Sequence, residues 1–174
     1  MKKYIFIASM LVLASCKDFP TLSVNTSNEM TIDVNKTGTQ YSGTKLLDPT
    51  TDETFNKYLK KLSDINISRV TYTISNFDGP NTQIANATFD IADSNGGNKV
   101  NLGSFSNINL ASIEDKETDL VYDSNAASKL ENFLIQAPNK VTVYYNGTVN
   151  QAPVKFTLKL KFYSKIKTRL IGSN

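Results

Sequence analysis

The sequence predicts a mainly β protein, an antiparallel β-sandwich that carries two short helices. Several segments alternate apolar and polar residues and are separated by turn-forming residues, which is typical of short strands with one buried face. Two other segments repeat apolar residues with the spacing of a helix. Asparagine, threonine and serine are abundant, whereas tryptophan and histidine are absent, as expected of an exposed β-rich surface with many turns.

A polar segment precedes the first predicted strand. Residues 17–28 are polar and contain Pro20, so we interpret them as an irregular tether. The first strand is predicted by three apolar residues that alternate with polar ones: Met30, Ile32 and Val34.

The first helix has both a start signal and an apolar stripe. Thr50 and Glu53 have the spacing of a capping box, in which a hydroxyl and a carboxylate bind free amides at the helix start. The stripe has i, i+3, i+4, i+7 spacing and consists of Phe55, Tyr58, Leu59 and Leu62. A strand over residues 65–75 follows, and its alternation slips between Ile67 and Val70, which predicts a β-bulge.

A hairpin is predicted in the middle of the chain. Its two strands contain apolar residues that share a face: Ala87, Phe89 and Ile91 in the first, Val100 and Leu102 in the second. The polar, glycine-containing segment 93–98 forms the connecting loop. Ile108 and Leu110 predict a further short strand.

The second helix is predicted over residues 125–137, with Ser124 as its cap and Pro138 after its end. Its predicted buried face consists of Ala126, Ala127, Leu130, Phe133, Leu134 and Ala137.

The last part of the chain predicts two strands. The first covers residues 140–145 and ends in a turn at Asn146 and Gly147. Tyr144 and Tyr145 are neighbours in it, so we expect them to face opposite sides and not to share a platform for a sugar. The second strand, residues 154–163, has the clearest alternation, with one apolar face made of Val154, Phe156, Leu158, Leu160 and Phe162.

The N-terminus has the pattern of a secretory signal. Lys2 and Lys3 precede a largely apolar segment, residues 4–15, which is shorter than the roughly 20 residues needed to span a bilayer. The chain has a single cysteine, Cys16, and it follows this segment directly. No disulfide can therefore form within one chain.

The exit of the signal, Leu13-Ala14-Ser15-Cys16, resembles the lipobox of bacterial lipoproteins. That resemblance implies that a signal peptidase recognises Leu13, Ala14 and Ser15 and removes residues 1–15. It also implies that Cys16 carries a covalent diacylglyceryl group and an N-acyl chain, with no other cofactor. Residues 16–28 would then be a lipidated tether, and residues 29–174 a single sandwich-like domain. We expect a cell-envelope protein held in a lipid bilayer, in the outer membrane and on its periplasmic or surface side.

Basic residues are concentrated near the C-terminus. Five lysines form a possible basic surface face: Lys155, Lys159, Lys161, Lys165 and Lys167. They could bind acidic lipid headgroups or an acidic polysaccharide. Alternatively, they form the solvated face of an amphipathic strand and discourage edge-to-edge pairing, which we favour. Without residues 1–15, which contain Lys2 and Lys3, the chain has 17 basic and 16 acidic side chains, so no nucleic acid is expected as a partner.

The composition excludes several catalytic sites. Without histidine or a second cysteine, triads with an imidazole base and Cys/His zinc sites cannot form. The segment Ser42 to Lys45 matches S-x-x-K and residues 36–38 match K-T-G, but their order is the reverse of that in penicillin-binding proteins. We interpret both matches as coincidental and predict no catalytic residues.

The acidic segment 114–119 does not complete a calcium loop. Asp115, Glu117 and Asp119 alternate as such a loop begins, but Leu120 and Ala126 stand where glycine and glutamate are required. No metal site is predicted.

These observations favour a non-catalytic binding or structural module, with an envelope protein or a glycan as its partner. One alternative is an accessory subunit of an outer-membrane transport or secretion complex, which should expose a large apolar patch. A second is a hydrolase that uses carboxylates alone, which should bring together acids with shifted pKa values.

The order of elements from Ile65 to Phe162, with Tyr-x-x-Gly-Thr-Val at Tyr144 to Val149, resembles the late-embryogenesis-abundant type 2 (WHy) domains. That resemblance implies a small β-sandwich associated with stress protection and supplies no catalytic residues.

Overall fold

The computed structural model describes residues 21–169, and within that range the chain forms nine strands and three helices. The strands are β1 (Thr21–Lys36), β2 (Gln40–Leu47), β3 (Leu62–Ser75), β4 (Ile84–Asp93), β5 (Val100–Asn109), β6 (Thr118–Asp119), β7 (Val121–Tyr122), β8 (Val141–Val149) and β9 (Val154–Arg169). The helices are α1 (Glu53–Tyr58), α2 (Leu110–Ile113) and α3 (Ser124–Ile135), with 3₁₀ turns at Pro49–Thr51 and Leu59–Lys61. Over residues 21–169, every helix is too short or too polar to cross a bilayer.

The strands form two antiparallel sheets that pack face to face. Sheet A has the order β1-β9-β3-β6, and sheet B has the order β2-β8-β4-β5-β7. The apolar side chains of both inner faces form one buried cluster. The predicted fold class, a mainly β antiparallel sandwich with short helices, is therefore confirmed.

The central strand of sheet A, β9, provides much of the core. Its five predicted inward residues are all buried, and Leu158 and Leu160 have no exposed surface. The strand continues six residues beyond the predicted end at Tyr163. The apolar alternation of the sequence does not extend over these six residues, because Ser164 and Thr168 occupy inward positions. Both side chains are nevertheless buried.

Two aromatic pairs connect the sheets through the core. Tyr72 of β3 stacks on Phe105 of β5 with ring centroids 4.8 Å apart. Tyr41 of β2 meets Phe156 of β9 edge to face at 5.5 Å. Such pairs contribute about 0.5–1.5 kcal/mol beyond the burial of their area, so each stabilises the sandwich at a defined position.

The predicted tether is wrong over residues 21–28, because β1 begins at Thr21 and pairs without interruption with β9. The inward positions in the first half of β1 include Thr26 and Asn28. Because both are polar, the sequence shows no apolar alternation there. Asn28 is nevertheless 8% exposed and lies opposite Phe162. Pairing with β9, rather than an apolar pattern, specifies this part of the strand.

Both predicted helices exist, but other residues cap them. The Asp52 side chain accepts a hydrogen bond from the Phe55 amide and caps α1 in place of Thr50. The Asp123 side chain accepts from the Ala126 amide and caps α3 in place of Ser124. A carboxylate is a strong cap because it satisfies a free amide and interacts favourably with the positive helix end.

The apolar stripes of the helices are only partly as predicted. Helix α1 ends at Tyr58, and Leu62 begins β3. In α3, the buried residues are Ala126, Ala127, Leu130 and Leu134, whereas Phe133 is partly buried. Ala137 lies beyond the end of the helix.

Local irregularities in the sheets are largely as predicted. The register of β3 against β9 shifts between Ile67 and Arg69, which confirms the bulge. Strands β4 and β5 form the predicted hairpin, and Gly96 in its loop has a positive φ of 84°. The separate strand at Ile108 and Leu110 is wrong, because β5 continues to Asn109 and Leu110 begins α2.

Gly147 lies inside a strand, not in the predicted turn. Strand β8 continues through Asn146 and Gly147, which pair with Ser42 and Tyr41 of β2. A Cβ atom at position 147 would overlap the Tyr41 ring, which lies directly over this glycine. Asn-Gly therefore marks a close aromatic contact here, which sequence pattern cannot distinguish from a turn.

A Gly147→Ala substitution should lower the free energy of unfolding by about 1–3 kcal/mol, because the added methyl displaces the Tyr41 ring. The matched control is Gly38→Ala, where the new Cβ would meet no atom within 4 Å and the change should stay within about 0.5 kcal/mol. Urea denaturation measures both. Equal, small effects would contradict the placement of Gly147 under Tyr41.

Candidate functional sites on the two outer faces

The predicted lipidation site lies outside the described residues. Cys16 and the signal-peptidase residues Leu13, Ala14 and Ser15 precede residue 21, where the described fold begins. The lipid anchor therefore stays a prediction from the sequence. Four residues, 17–20, separate Cys16 from the first residue of β1.

The predicted basic face lies on the outer side of sheet A, but not on an edge strand. Its lysines project from β9, which is hydrogen-bonded to β1 on one side and β3 on the other. The interpretation that they discourage edge-to-edge pairing is wrong for this reason. Edge protection of sheet A would require them on β1 or β6.

Several of these lysines have partners on the neighbouring strands or loops. Lys155 Nζ lies 2.8 Å from Asp78 Oδ2, and Lys167 Nζ lies 2.8 Å from Asp64 Oδ2. Lys159 lies 3.7 Å from Glu29, and Lys161 lies over the Tyr163 ring. The three ion pairs are solvent-exposed, and such pairs typically contribute about 0–1 kcal/mol.

Lys165 differs from the other lysines of β9. Its neighbours across the two ladders are Asn25 of β1 and Asn66 of β3, both uncharged. The last residue of the strand, Arg169, lies opposite Thr21. Positive charge in excess of local acids is therefore concentrated at the end of sheet A where β1 begins.

The predicted acidic segment folds back onto sheet A. Arg69 Nη1 lies 3.6 Å from Glu117, and Arg69 Nε bonds Asp119 at 2.5 Å. Glu117 also accepts hydrogen bonds from Tyr163 Oη at 2.7 Å and from Thr71 Oγ1 at 2.9 Å. These bonds, with the Tyr163 hydroxyl first, hold the pKa of Glu117 below its ordinary value of 4.5. Two carboxylates of the segment, Glu117 and Asp119, thus pair with Arg69.

Three other carboxyl groups have lowered pKa values for local reasons. The Lys155 ammonium lowers the pKa of Asp78, and the Gly97 amide and the Asn98 side chain lower that of Asp93. Partial burial acts to raise the pKa of Asp48, but hydrogen bonds from Lys140 and Thr50 outweigh it and lower that pKa. Each of these carboxyl groups stays ionised in the neutral range.

The S-x-x-K match does not assemble a catalytic pair. Ser42 and Lys45 lie three residues apart on β2, and side chains three apart on a strand face opposite sides of the sheet. Ser42 lines the outer face of sheet B, so Lys45 belongs to the opposite face of the strand. The lysine therefore cannot serve as the base for this serine.

The outer face of sheet B contains a shallow groove of about 450 Å³ that sequence reasoning missed. Strands β2, β4 and β8 form it, and hydroxyl and amide groups dominate its lining: Ser42, Thr44, Thr88, Tyr144 and Asn146. A second groove of about 280 Å³ adjoins it and shares Thr88 and Asn146. The only possible signal in the sequence is the polar half of each alternating strand, which looks like ordinary solvated surface.

The charged groups at the groove neutralise each other. Lys99 Nζ lies 2.9 Å from Asp90 Oδ2. The same ammonium lies 4.4 Å from the centroid of the Tyr144 ring, which is a cation–π distance. The groove therefore presents neutral donors and acceptors, with one tyrosine beside an internally paired charge.

Tyr144 and Tyr145 both border this groove, but they belong to opposite faces of β8, because Tyr145 packs against the core. Gly43 of β2 lies opposite Tyr145 and has no side chain. The Tyr145 ring occupies the space that a Cβ atom at position 43 would need. The missing side chain of Gly43 thus leaves room for the Tyr145 ring beside the core, and Tyr144 is the tyrosine of the outer face.

Comparison with known proteins adds no family. No protein-family model matches the chain, and no curated protein matches it. Among solved structures, it is similar to chains titled Desmodium yellow mottle tymovirus (TM-score 0.44, 10% identity, covering 100% of this chain and 95% of that chain) and tobacco necrosis virus (0.37, 11%, 83% and 95%). A third is titled turnip yellow mosaic virus (0.35, 10%, 88% and 99%). At these scores the similarities carry no argument about function.

The Glu117 cluster should make stability depend on acid pH. Because the folded pKa of Glu117 is lowered, its contribution is present above the unfolded value near 4.5 and is lost as pH falls through the folded value. The difference in unfolding free energy between wild type and Glu117→Gln should therefore narrow from pH 6 toward pH 3. Urea denaturation at several pH values measures it.

Tyr163→Phe provides the second variant, since it removes only the hydroxyl that binds Glu117. It should lower the part of the unfolding free energy that wild type loses as pH falls from 6 to 3. A difference between wild type and Glu117→Gln that is constant with pH would contradict the assignment.

Proposed function

We propose that this protein is a cell-envelope lipoprotein and that its folded domain is a non-catalytic binding module. The acyl chains on Cys16 hold it in the outer membrane, on the periplasmic or surface side. Every lipobox position is present at residues 13–16, and β1 begins only five residues after the cysteine. A firm anchor requires more than one acyl chain, which a diacylglyceryl group with an N-acyl chain provides.

We propose further that the domain binds a neutral, hydroxyl-rich ligand of the glycan class on the outer face of sheet B. The observation that carries this is the pair of adjoining grooves lined by serine, threonine, asparagine and tyrosine, whose charged residues are already paired. Hydroxyl and amide groups both donate and accept hydrogen bonds, which matches the alternating donors and acceptors of a sugar. A charged ligand would require an unpaired charge in the groove.

The hydrolase alternative receives less support from the carboxyl groups. A general acid that works near neutral pH needs a raised pKa, usually from burial or a second nearby carboxylate. The four carboxyl groups with shifted pKa values among residues 21–169 are all shifted downward. The accessory-subunit alternative needs a contiguous apolar patch, whereas the exposed large apolar residues of this range, Leu22, Leu46 and Val121, lie on three different strands.

Metabolic labelling with a palmitate analogue tests the anchor. Wild-type protein should be labelled, should fractionate with membranes and should begin at Cys16 by mass spectrometry, because the thiol is the acylation site. Cys16→Ala should lose the label and the membrane association.

The matched control adds Ser23→Cys to the Cys16→Ala variant, which restores one thiol on the exposed part of β1. This protein should stay unlabelled, since the thiol is outside the lipobox. An unlabelled wild type, or a labelled control, would refute the anchor.

Titration with neutral oligosaccharides, such as maltohexaose, cellohexaose and chitohexaose, tests the groove. At least one should bind saturably, and Thr88→Val with Asn146→Ala should weaken it about tenfold or more, because each change removes a hydrogen-bonding group. Isothermal titration calorimetry measures the affinity.

The matched control is Thr31→Val on the outer face of sheet A, which should leave the affinity unchanged. Binding that survives the groove variant, or no binding by any neutral oligosaccharide, would overturn the proposed ligand class.

A further inference from the structure

We infer that the end of sheet A where β1 begins docks on anionic lipid headgroups and holds the sandwich in one orientation on the bilayer. This inference rests on the proposed anchor at Cys16 for its position, but the surface itself is defined by folded residues. We call it the basic end, and it consists of Lys60, Lys61, Lys165, Lys167 and Arg169.

The path of the chain brings the basic end to the membrane. Thr21 is the first residue of β1, and it pairs with Arg169. An extended chain spans at most about 3.6 Å per residue, so Thr21 cannot lie more than about 18 Å from Cys16. Leu62 pairs with Thr168, so Lys60 and Lys61, immediately before it, lie at the same end.

The basic end has a net positive charge. All five of its cationic side chains belong to exposed residues. The facing segment of β1, Thr21 to Thr26, contains no charged residue. In the facing segment of β3, the one acid is Asp64, which is bound to Lys167 at 2.8 Å. Two further carboxylates contact these strand ends: Asp52, which accepts from Thr26, and Glu131, which accepts from Asn66. Five cations therefore face three carboxylates, and the excess is positive.

The opposite end of the same sheet is electrically balanced. Lys155 pairs with Asp78, and Lys159 lies near Glu29. Asp33 accepts a hydrogen bond from Thr157. Lys155 and Lys167 are twelve residues apart on one strand, a distance of about 40 Å. The excess charge is thus confined to the end nearest the proposed anchor.

An anionic bilayer is the partner that fits this arrangement. Electrostatic attraction between exposed charges extends about 8 Å at physiological ionic strength, so the cations must be brought close to the headgroups. A short connection to a lipidated residue does so. A basic patch beside an acyl anchor is then a second membrane signal, whose strength depends on anionic lipid.

The first experiment removes the anchor so that the basic end is tested alone. A chain of residues 16–174 with Cys16→Ser contains the whole described fold and carries no lipid. It should sediment with phosphatidylglycerol-containing vesicles about tenfold or more better than with pure phosphatidylcholine vesicles, and added salt should abolish the difference.

Two quadruple variants with the same net charge locate the effect. Changing Lys60, Lys61, Lys165 and Lys167 to glutamine should reduce binding to the anionic vesicles about tenfold or more. Changing Lys36, Lys155, Lys159 and Lys161 should leave most of the binding intact. Equal losses would overturn the basic end, and so would equal binding to a soluble acidic polysaccharide such as polygalacturonate.

The second experiment uses the lipidated protein on vesicles and an amine-reactive label read by mass spectrometry. Lys60, Lys61 and Lys165 should be protected on phosphatidylglycerol-containing vesicles relative to phosphatidylcholine vesicles, whereas Lys36 and Lys155 should label equally on both. Equal labelling throughout would refute the fixed orientation. Failure of the proposed anchor would appear as an unmodified Cys16. The vesicle binding of the unlipidated chain does not depend on that modification, so it tests the basic end separately.

Discussion

The pairing of β9 on both of its edges is the interaction on which the rest of the structure depends. All sixteen residues of β9 pair with β1, and most also pair with β3. Its inward side chains are buried in the core, and its outward side chains form the charged outer face of sheet A. Because successive side chains on a strand point to opposite faces, one segment supplies the packing, the surface charge and the register of its neighbours.

That double pairing explains which parts of the fold could be predicted from the sequence. Where a strand carries its own apolar alternation, as at Val154 to Phe162, the sequence is sufficient. The hairpin of β4 and β5 and the bulge after Ile67 are local features for the same reason. The first half of β1 and the last six residues of β9 carry polar residues at inward positions. They form strands because they pair with each other. They lie far apart in the sequence, so a local pattern cannot reveal the pairing.

The core also contains a polar residue that pattern reasoning does not identify. Gln83 is fully buried, and its side-chain amide donates to the backbone carbonyls of Gln151 and Pro153. Its own backbone carbonyl accepts from the Leu110 amide. One glutamine thus links the start of β4 to the β8–β9 connection and to α2. Buried polar groups need partners, and those of the Gln83 amide nitrogen lie far away in the sequence, whereas its Oε1 has none among the described residues.

The candidate groove was beyond sequence reasoning for a related physical reason. Its lining comes from the outward residues of three strands, and each strand alone shows only the polar half of an amphipathic pattern. The register of β2 with β8 places Gly43 opposite Tyr145, and the register of β4 with β8 places Thr88 opposite Asn146. The two faces of the sandwich then differ in chemistry, since sheet A is outwardly ionic and sheet B outwardly neutral. A tether that fixes the basic end of sheet A on a bilayer would keep the outer face of sheet B, on the other side of the sandwich, clear of the lipid. The neutral groove would therefore remain accessible to a ligand in the envelope, which is the geometry that a tethered binding module requires.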